Sequence, residues 1–202
     1  MGTPKFSLLA FSTALALAPP AIAESEWYVD AELTRYQTDD SEEQRSLWAK
    51  NVTISYYPED LGVGFYAYAY HDEEFQGAYI GVSKSVGDVE FGLGVGPAEY
   101  DDETWTVLNP WLYYDDQLYQ ASVWVEYVDD DVGNNKWFYK YHLQRSLDHQ
   151  WFAGLYGERL LGLGPLLGFN LTDELSVWIT VPVADLPDEG KMVGLATLAY
   201  SW

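Results

Sequence analysis

The sequence predicts an all-β fold, a closed antiparallel transmembrane β-barrel of 12 strands with short turns at one end and longer acidic loops at the other. Three observations carry this prediction. Short segments alternate apolar and polar residues, as strands with one apolar face do. Short and long connections alternate between these segments, and aromatic residues cluster at the segment ends. Beyond residues 1–23, no segment approaches the ~20 uninterrupted apolar residues of a membrane helix, so a membrane-spanning form of this chain must be a barrel.

Residues 1–23 have the pattern of a secretory signal peptide. Lys5 is their only charge, an apolar run extends from Phe6 to Leu17, and small residues lead up to Ala23. The run is too short to span ~30 Å of hydrocarbon, which argues against a membrane anchor. We therefore expect cleavage before Glu24, leaving residues 24–202 as one domain, the barrel.

The predicted strands are runs of alternating residues bounded by acidic residues or by glycine. An even number of strands lets a closed barrel keep both chain termini at the same end. In chain order they are Trp27–Tyr36, Leu47–Tyr57, Val63–His71, Ala78–Val86, Val89–Gly96, Trp105–Tyr114, Leu118–Val128, Trp137–Leu147, Trp151–Leu160, Leu166–Leu171, Leu175–Val183 and Met192–Trp202.

The last predicted strand places Leu198, Tyr200 and Trp202 on one face, and it ends in an aromatic residue. In this it resembles the C-terminal strand of Gram-negative outer-membrane β-barrel proteins, small and porin-like, whose final aromatic residue is read by the assembly machinery. The resemblance implies export to the outer membrane of a Gram-negative bacterium, with these three residues as the assembly signal. It also implies contact with outer-membrane lipid and lipopolysaccharide.

The connections predict which end of the barrel faces which compartment. Short turns such as Gly87-Asp88 and Asp148-His149-Gln150 alternate with longer stretches that carry acidic runs such as Asp129-Asp130-Asp131. In outer-membrane barrels the short turns are periplasmic and the longer loops extracellular. The predicted extracellular loops are Gln37–Ser46, Asp72–Gly77, Pro97–Thr104, Asp129–Lys136, Leu161–Pro165 and Ala184–Lys191.

Aromatic residues near the predicted strand ends favour a membrane barrel over a soluble one. Amphipathic rings prefer the boundary between hydrocarbon and headgroups. The residues interpreted in this way are Trp27, Trp48, Tyr56, Tyr57, Trp105, Tyr113, Tyr114, Trp137, Trp151, Tyr200 and Trp202.

The alternation also assigns one face of each strand to the interior. A 12-strand barrel is wider than the eight-strand barrel whose side chains just fill the lumen, and the glycines of Val89–Gly96 leave further room. Carboxylates that line a passage favour cations. The sequence thus predicts a narrow, cation-preferring, porin-like channel for ions or small cationic or neutral solutes. The predicted lumen-lining residues are Asp30, Glu32, Glu90, Glu126, Lys140, His142 and Glu158. Twelve-stranded channels for sugar acids have basic lumens, and this acidic interior departs from them.

Charge and composition limit the possible partners. The chain has 32 acidic against 10 basic residues, a net charge of −22, which argues against nucleic acid because phosphate binding needs a basic surface. The absence of cysteine excludes a disulfide scaffold. No cofactor or metal is expected, because the acidic runs lack the spacing of a calcium loop. Those runs could still collect divalent cations at the surface and so bridge to lipopolysaccharide.

Two other functions remain open from the sequence. Tyr66, Tyr68, Tyr70, Trp124 and Trp178 could close the interior, with Lys140 paired to Glu126 or Glu158, and leave a structural or cation-binding surface barrel without a pore. Alternatively, His71 beside Asp72, Glu73 and Glu74 could act as the general base of an outer-membrane hydrolase. Acidic residues occupy nearly every loop, so their proximity to one histidine is expected by chance. We therefore predict that the protein is not an enzyme and has no catalytic residues.

Overall fold

The computed structural model describes residues 26–40, 43–59, 61–73, 75–100, 103–129, 137–159, 162–183 and 191–202. The predicted signal peptide lies outside these residues, as do Asp101, Asp102, Asp130 and Asp131 of the predicted acidic loops. Twelve strands pair in chain order, and β1 pairs with β12 to close the barrel. Every pairing is antiparallel. The predicted closed antiparallel 12-strand barrel is therefore confirmed.

The strands are long enough to form a continuous wall, and several exceed the predicted lengths. Their bounds are β1 Glu26–Asp40, β2 Glu43–Tyr57, β3 Gly64–His71, β4 Phe75–Val86, β5 Val89–Tyr100, β6 Glu103–Asp115, β7 Tyr119–Asp129, β8 Trp137–Ser146, β9 Trp151–Glu158, β10 Gly162–Asn170, β11 Leu175–Thr180 and β12 Lys191–Ser201. Among the described residues, no helix has the length and apolarity needed to cross a membrane.

Several strands extend beyond their predicted ends, at the end of the barrel opposite the chain termini. Asp40 and Glu43 pair directly, so most of the predicted loop Gln37–Ser46 is a hairpin ladder. The hairpin of β5 and β6 is extended in the same way. The sequence prediction ended each strand where the apolar alternation stops, whereas a backbone hydrogen-bond ladder does not require an apolar face. We call this end the loop end, and the end with the short turns and the termini the turn end.

The two faces of the wall differ in chemistry. Residues that pair across antiparallel strands share a face, so the register separates inner from outer positions. The outer face exposes apolar side chains over its whole circumference, among them Ile80, Leu93, Val123, Leu155 and Ile179. The inner face carries nearly all the buried side chains, aromatic and polar together. A closed barrel with an apolar outside and a mixed inside follows.

Closure between β1 and β12 involves side chains as well as backbone. Thr34 and Thr197 share a buried hydrogen bond of 2.9 Å, and the Ser201 hydroxyl donates to Asp30 at 2.5 Å. Trp202 exchanges two backbone hydrogen bonds with Val29, at 2.7 and 2.9 Å. Trp202 is therefore part of the seam that closes the barrel.

The turn between β8 and β9 is organised by one carboxylate. Asp148 Oδ1 accepts hydrogen bonds from the backbone N–H groups of Gln150 and Trp151, both at 2.7 Å. The bond from Trp151 is the main reason that the pKa of Asp148 lies below its ordinary value of 3.8, and the bond from Gln150 adds to it. Charged Asp148 thus stabilises the reversal of the chain.

Candidate functional site in the barrel interior

Aromatic side chains cover one half of the inner wall. Tyr66, Tyr68, Tyr79, Trp111 and Trp124 belong to one packed group on strands β3 to β7, which we call the β3–β7 cluster. The Tyr68 and Tyr79 rings stack at 5.5 Å between centroids, and Tyr68 reaches Trp124 at 4.9 Å. Trp111 and Trp124 are nearly parallel at 6.4 Å. Because β3 and β7 are four strands apart in the ring, these rings meet inside the barrel.

Inward-facing glycines leave the space against the wall that these rings occupy. A Cβ atom on Gly92 would lie 2.3 Å from Cε2 of Trp111, and one on Gly94 would lie 2.3 Å from Oη of Tyr66. Neither distance is sterically possible, so the rings occupy the space that other side chains would fill. The Tyr66 and Trp111 rings therefore pack directly against β5, edge to face with each other at 5.6 Å between centroids.

A second packed group lies on the other side of the interior. Phe152 and Tyr156 of β9, Leu166 of β10, Trp178 of β11 and Leu195 of β12 form this β9–β12 cluster, and Tyr36 of β1 packs against it. The Tyr156 and Trp178 rings are 5.1 Å apart between centroids. The two clusters share no buried residue, although Tyr36 and Tyr70 at their edges approach each other near the loop end.

Polar residues occupy the two strand pairs between the clusters. On β1 and β2, the Asn51 amide donates to Glu32 Oε2 at 2.8 Å. On β7 and β8, the Gln144 amide donates to Gln120, and Ser122 pairs with His142 in the register. The pairs β1/β2 and β7/β8 stand opposite each other in the 12-strand ring. Glu32 and His142 are close enough to interact electrostatically, so the two polar strips face each other.

Carboxylates gather at the turn end of the interior. Asp30 is held by Ser201, and Glu90 accepts a hydrogen bond from the Tyr57 hydroxyl. Asp115 accepts from the Tyr113 hydroxyl at 3.0 Å and from the Gln120 amide at 2.9 Å. Asp30 and Glu90 interact electrostatically. This mouth of the barrel is consequently negative.

Two further carboxylates lie deeper, toward the loop end. Glu126 is 8 % exposed and its Oε1 accepts from the Trp124 indole N–H at 3.1 Å. Glu158 is 7 % exposed and its Oε2 accepts from the Tyr156 hydroxyl at 2.6 Å. Both interact electrostatically with Lys140. Among the side chains that the structure describes, Lys140 is the only lysine or arginine on the inner face of the strands.

The register places the predicted lumen residues on a common face. Glu32 pairs with Asn51, and Lys140 pairs with Glu158. The other predicted lumen residues lie at alternate positions that also face inward. They divide into the turn-end group and the deeper group, with Glu32 and His142 between the two. That these residues line a conducting path remains a prediction. The residues in question are Asp30, Glu32, Glu90, Glu126, Lys140, His142 and Glu158.

His71 lies elsewhere. It pairs with Lys50 and Gln76 on the outer face of the wall. Asp72, its sequence neighbour, accepts the Tyr70 hydroxyl at 2.7 Å and the Phe75 backbone N–H at 2.6 Å, so these hydrogen bonds hold its carboxylate in the turn. Within the described chain, no group of three histidine, cysteine, aspartate or glutamate residues is arranged to hold a metal ion.

Three aromatic residues assigned to the membrane boundary from the sequence instead belong to the inner face. Tyr57 donates to Glu90, Tyr113 donates to Asp115, and Trp105 pairs with inward-facing Ala98. Tyr57 and Tyr113 each have an aromatic neighbour, and alternate residues of a strand must face opposite sides. The doublets Tyr56-Tyr57 and Tyr113-Tyr114 were a signal that one ring of each pair lies inside.

Comparison with known proteins identifies the fold. No protein-family model matches the sequence, and no curated protein does. The barrel is similar to the solved structure of KdgM porin, with a TM-score of 0.50 at 8 % identity over 86 % of this chain and 98 % of that one. KdgM porin in complex with disordered oligogalacturonate gives 0.49 at 9 % identity, with the same coverage. Outer membrane phospholipase A from Escherichia coli gives 0.48 at 11 % identity, over 85 % and 89 % of the two chains. The chain thus has the fold of porin-like outer-membrane β-barrels.

Proposed function

We propose that this chain, which shares the closed barrel fold of KdgM porin, is a narrow porin-like channel of a Gram-negative outer membrane that prefers cations. Its solutes are ions and small cationic or neutral molecules. Its other partners are outer-membrane lipid, lipopolysaccharide at the loop end and the assembly machinery that reads Leu198, Tyr200 and Trp202.

The outer face supports insertion into a bilayer. Its apolar side chains are solvent-exposed, with Ile80 at 69 % and Val82 at 48 %, and a belt of this kind needs lipid to cover it. Ring pairs lie toward the ends of the wall, including Tyr127 with Trp137 at 4.7 Å and Trp151 with Phe169 at 4.9 Å between centroids. Such pairs suit the two interfacial girdles of a membrane barrel.

The separation of the two aromatic clusters by facing polar strips is the observation that carries the channel proposal. A barrel built only as a scaffold gains most by merging its buried rings into one core. Here Glu32 on one strip faces His142 on the other, and the His142 ring also contacts Tyr156 and Trp178 at the edge of the β9–β12 cluster. Polar groups on both sides of a gap between apolar surfaces are what a hydrated passage requires.

The charge of the interior supports a preference for cations. The inner face carries carboxylates at the turn end and again deeper in the barrel, whereas Lys140 is its only lysine or arginine among the described side chains. A fixed negative charge along a confined path raises the local concentration of cations and lowers that of anions.

Planar-bilayer recording tests the proposal directly. Protein extracted from bacterial outer membranes after expression of the full chain is expected to give current steps whose reversal potential in a salt gradient shows cation selectivity. The triple variant Glu90→Gln, Glu126→Gln and Glu158→Gln should conduct with a permeability ratio closer to unity. Glu99→Gln is the matched control, because Glu99 bonds Gln76 on the outer face. Anion selectivity, or equal loss of selectivity in the control, would contradict the proposal.

A closed structural barrel is the second candidate, favoured by one observation. Near the loop end, the Tyr36, Tyr70 and Tyr156 side chains lie close to one another and to Glu158. These side chains could obstruct the lumen from both clusters. A membrane-inserted protein that gives no current at any voltage would support this candidate and refute the channel.

A further inference from the structure

The Lys140 ammonium group occupies a site of unusual composition for a lysine. Its Nζ lies 5.6 Å from the centroid of the Trp124 ring. In the strand register, Lys140 stands between Trp124 on β7 and Glu158 on β9. One wall of its surroundings is thus an indole face, and the other is a carboxylate.

The groups around the ammonium are held in place by their own hydrogen bonds. Trp124 is fixed from two sides, since its N–H donates to Glu126 and its ring packs against Tyr68. Glu158 is fixed by the Tyr156 hydroxyl. The Trp124 ring and the two carboxylates would therefore keep their positions if the Lys140 side chain moved away, because none of these hydrogen bonds involves Lys140.

The site holds two carboxyl groups and one ammonium group. Two buried carboxylates, Glu126 and Glu158, interact with the single positive charge of Lys140. A buried carboxylate without a counter-charge is costly, so the site favours any additional or replacement cation. An indole face next to a carboxylate favours alkylammonium ions over a small hydrated metal ion, because the ring attracts the charge while it covers the alkyl groups.

We propose that the Lys140 side chain occupies a binding site for soluble organic ammonium ions. Such ions pass through the barrel by displacing this side chain from the site. This inference rests on the proposed channel and specifies its solute class. Tethering places one ammonium group beside Trp124 at a high effective concentration. A free alkylammonium ion must compete with it, so the wild-type site holds such ions weakly and releases them, as conduction requires.

The test compares ethylammonium with potassium in planar bilayers. Lys140→Met removes the charge and keeps a flexible apolar side chain, and we expect ethylammonium to inhibit its potassium current at about tenfold lower concentration than in the wild type, the range of a desolvated cation–π contact. Lys140→Arg keeps a tethered cation and should behave as the wild type. Adding Trp124→Leu to Lys140→Met should remove the gain in sensitivity to ethylammonium, because the indole face is lost.

The outcomes separate this inference from the channel proposal. A wild-type protein that conducts no ions refutes the channel and the inference together. A conducting protein in which Lys140→Met and the wild type respond equally to ethylammonium overturns the inference alone. If Lys140→Met fails to fold, Trp124→Leu in the wild-type background replaces it. Its ethylammonium permeability relative to potassium should fall, and an unchanged ratio would overturn the inference.

Discussion

Replacing Gly92 by alanine tests whether the β3–β7 cluster depends on the absence of a side chain beneath Trp111. The new Cβ would lie 2.3, 2.4 and 2.5 Å from three indole atoms, so the rigid ring must leave its position. Overpacking of this kind costs about 1–3 kcal/mol, and the lower chain entropy of alanine in the unfolded state offsets about 0.4–1 kcal/mol. We expect a net loss of about 1–2 kcal/mol in the free energy of unfolding.

The ring has only the lumen to move into, so the same variant should also conduct less. Urea unfolding of the protein in lipid vesicles, followed by tryptophan fluorescence, gives the stability, and single-channel recording gives the conductance. Gly194→Ala is the control, since its Cβ would approach only the Thr180 carbonyl oxygen, at 3.3 Å. Trp111→Leu combined with Gly92→Ala should recover most of the stability lost through the clash, as a coupling term in a double-mutant cycle. A stability equal to or above the wild type for Gly92→Ala alone would refute the reasoning.

Three further predictions concern the seam and a turn. Thr197→Val should lower the free energy of unfolding by about 1 kcal/mol, because it leaves the buried Thr34 hydroxyl without its partner. Thr197→Ser keeps the hydroxyl and should not lower it. Equal losses of unfolding free energy for the two variants in urea titrations would contradict this explanation. The lowered pKa of Asp148 means that its stabilising effect is fully present above pH 3.8 and is lost as the pH falls through the lower folded-state pKa. Unfolding of Asp148→Ala should accordingly depend less on pH below 3.8 than unfolding of the wild type, and identical profiles would contradict the assignment. Removing Trp202 should reduce the amount of folded barrel in outer membranes, measured by its heat-modifiable gel mobility; undiminished assembly would show that the terminal residue is not read.

Much of this fold could be predicted from the sequence, because every strand must present an apolar face to the outside of the barrel and a mixed face to the inside. A wall with different inside and outside chemistry imposes alternation on every strand, which located all the strands and the face of residues such as Glu126 and Glu158. The ends of the strands were predicted less well. Backbone pairing between Asp40 and Glu43 continues beyond the apolar belt, where the side chains give no signal.

The candidate site was only partly predictable for a different reason. Alternation assigns Tyr68 and Trp124 to the interior, but their ring contact joins β3 to β7, and its geometry depends on curvature and register around the whole barrel. The division of the interior into two aromatic clusters and two polar strips has the same origin. The inward orientation of Tyr57 and Tyr113 was missed. Two consecutive aromatic residues do not reveal which of the two rings faces inward until the neighbouring strands are placed.

The seam between β1 and β12 has a consequence for how the protein matures. Asp30 and Ser201 are adjacent in space although most of the chain separates them, and bringing such distant residues together is slow in an unassisted chain. Until the final residues have been synthesised and delivered, both edge strands expose unpaired backbone groups that invite association with other chains. A chain in which β1 has not yet paired with β12 is therefore prone to aggregate.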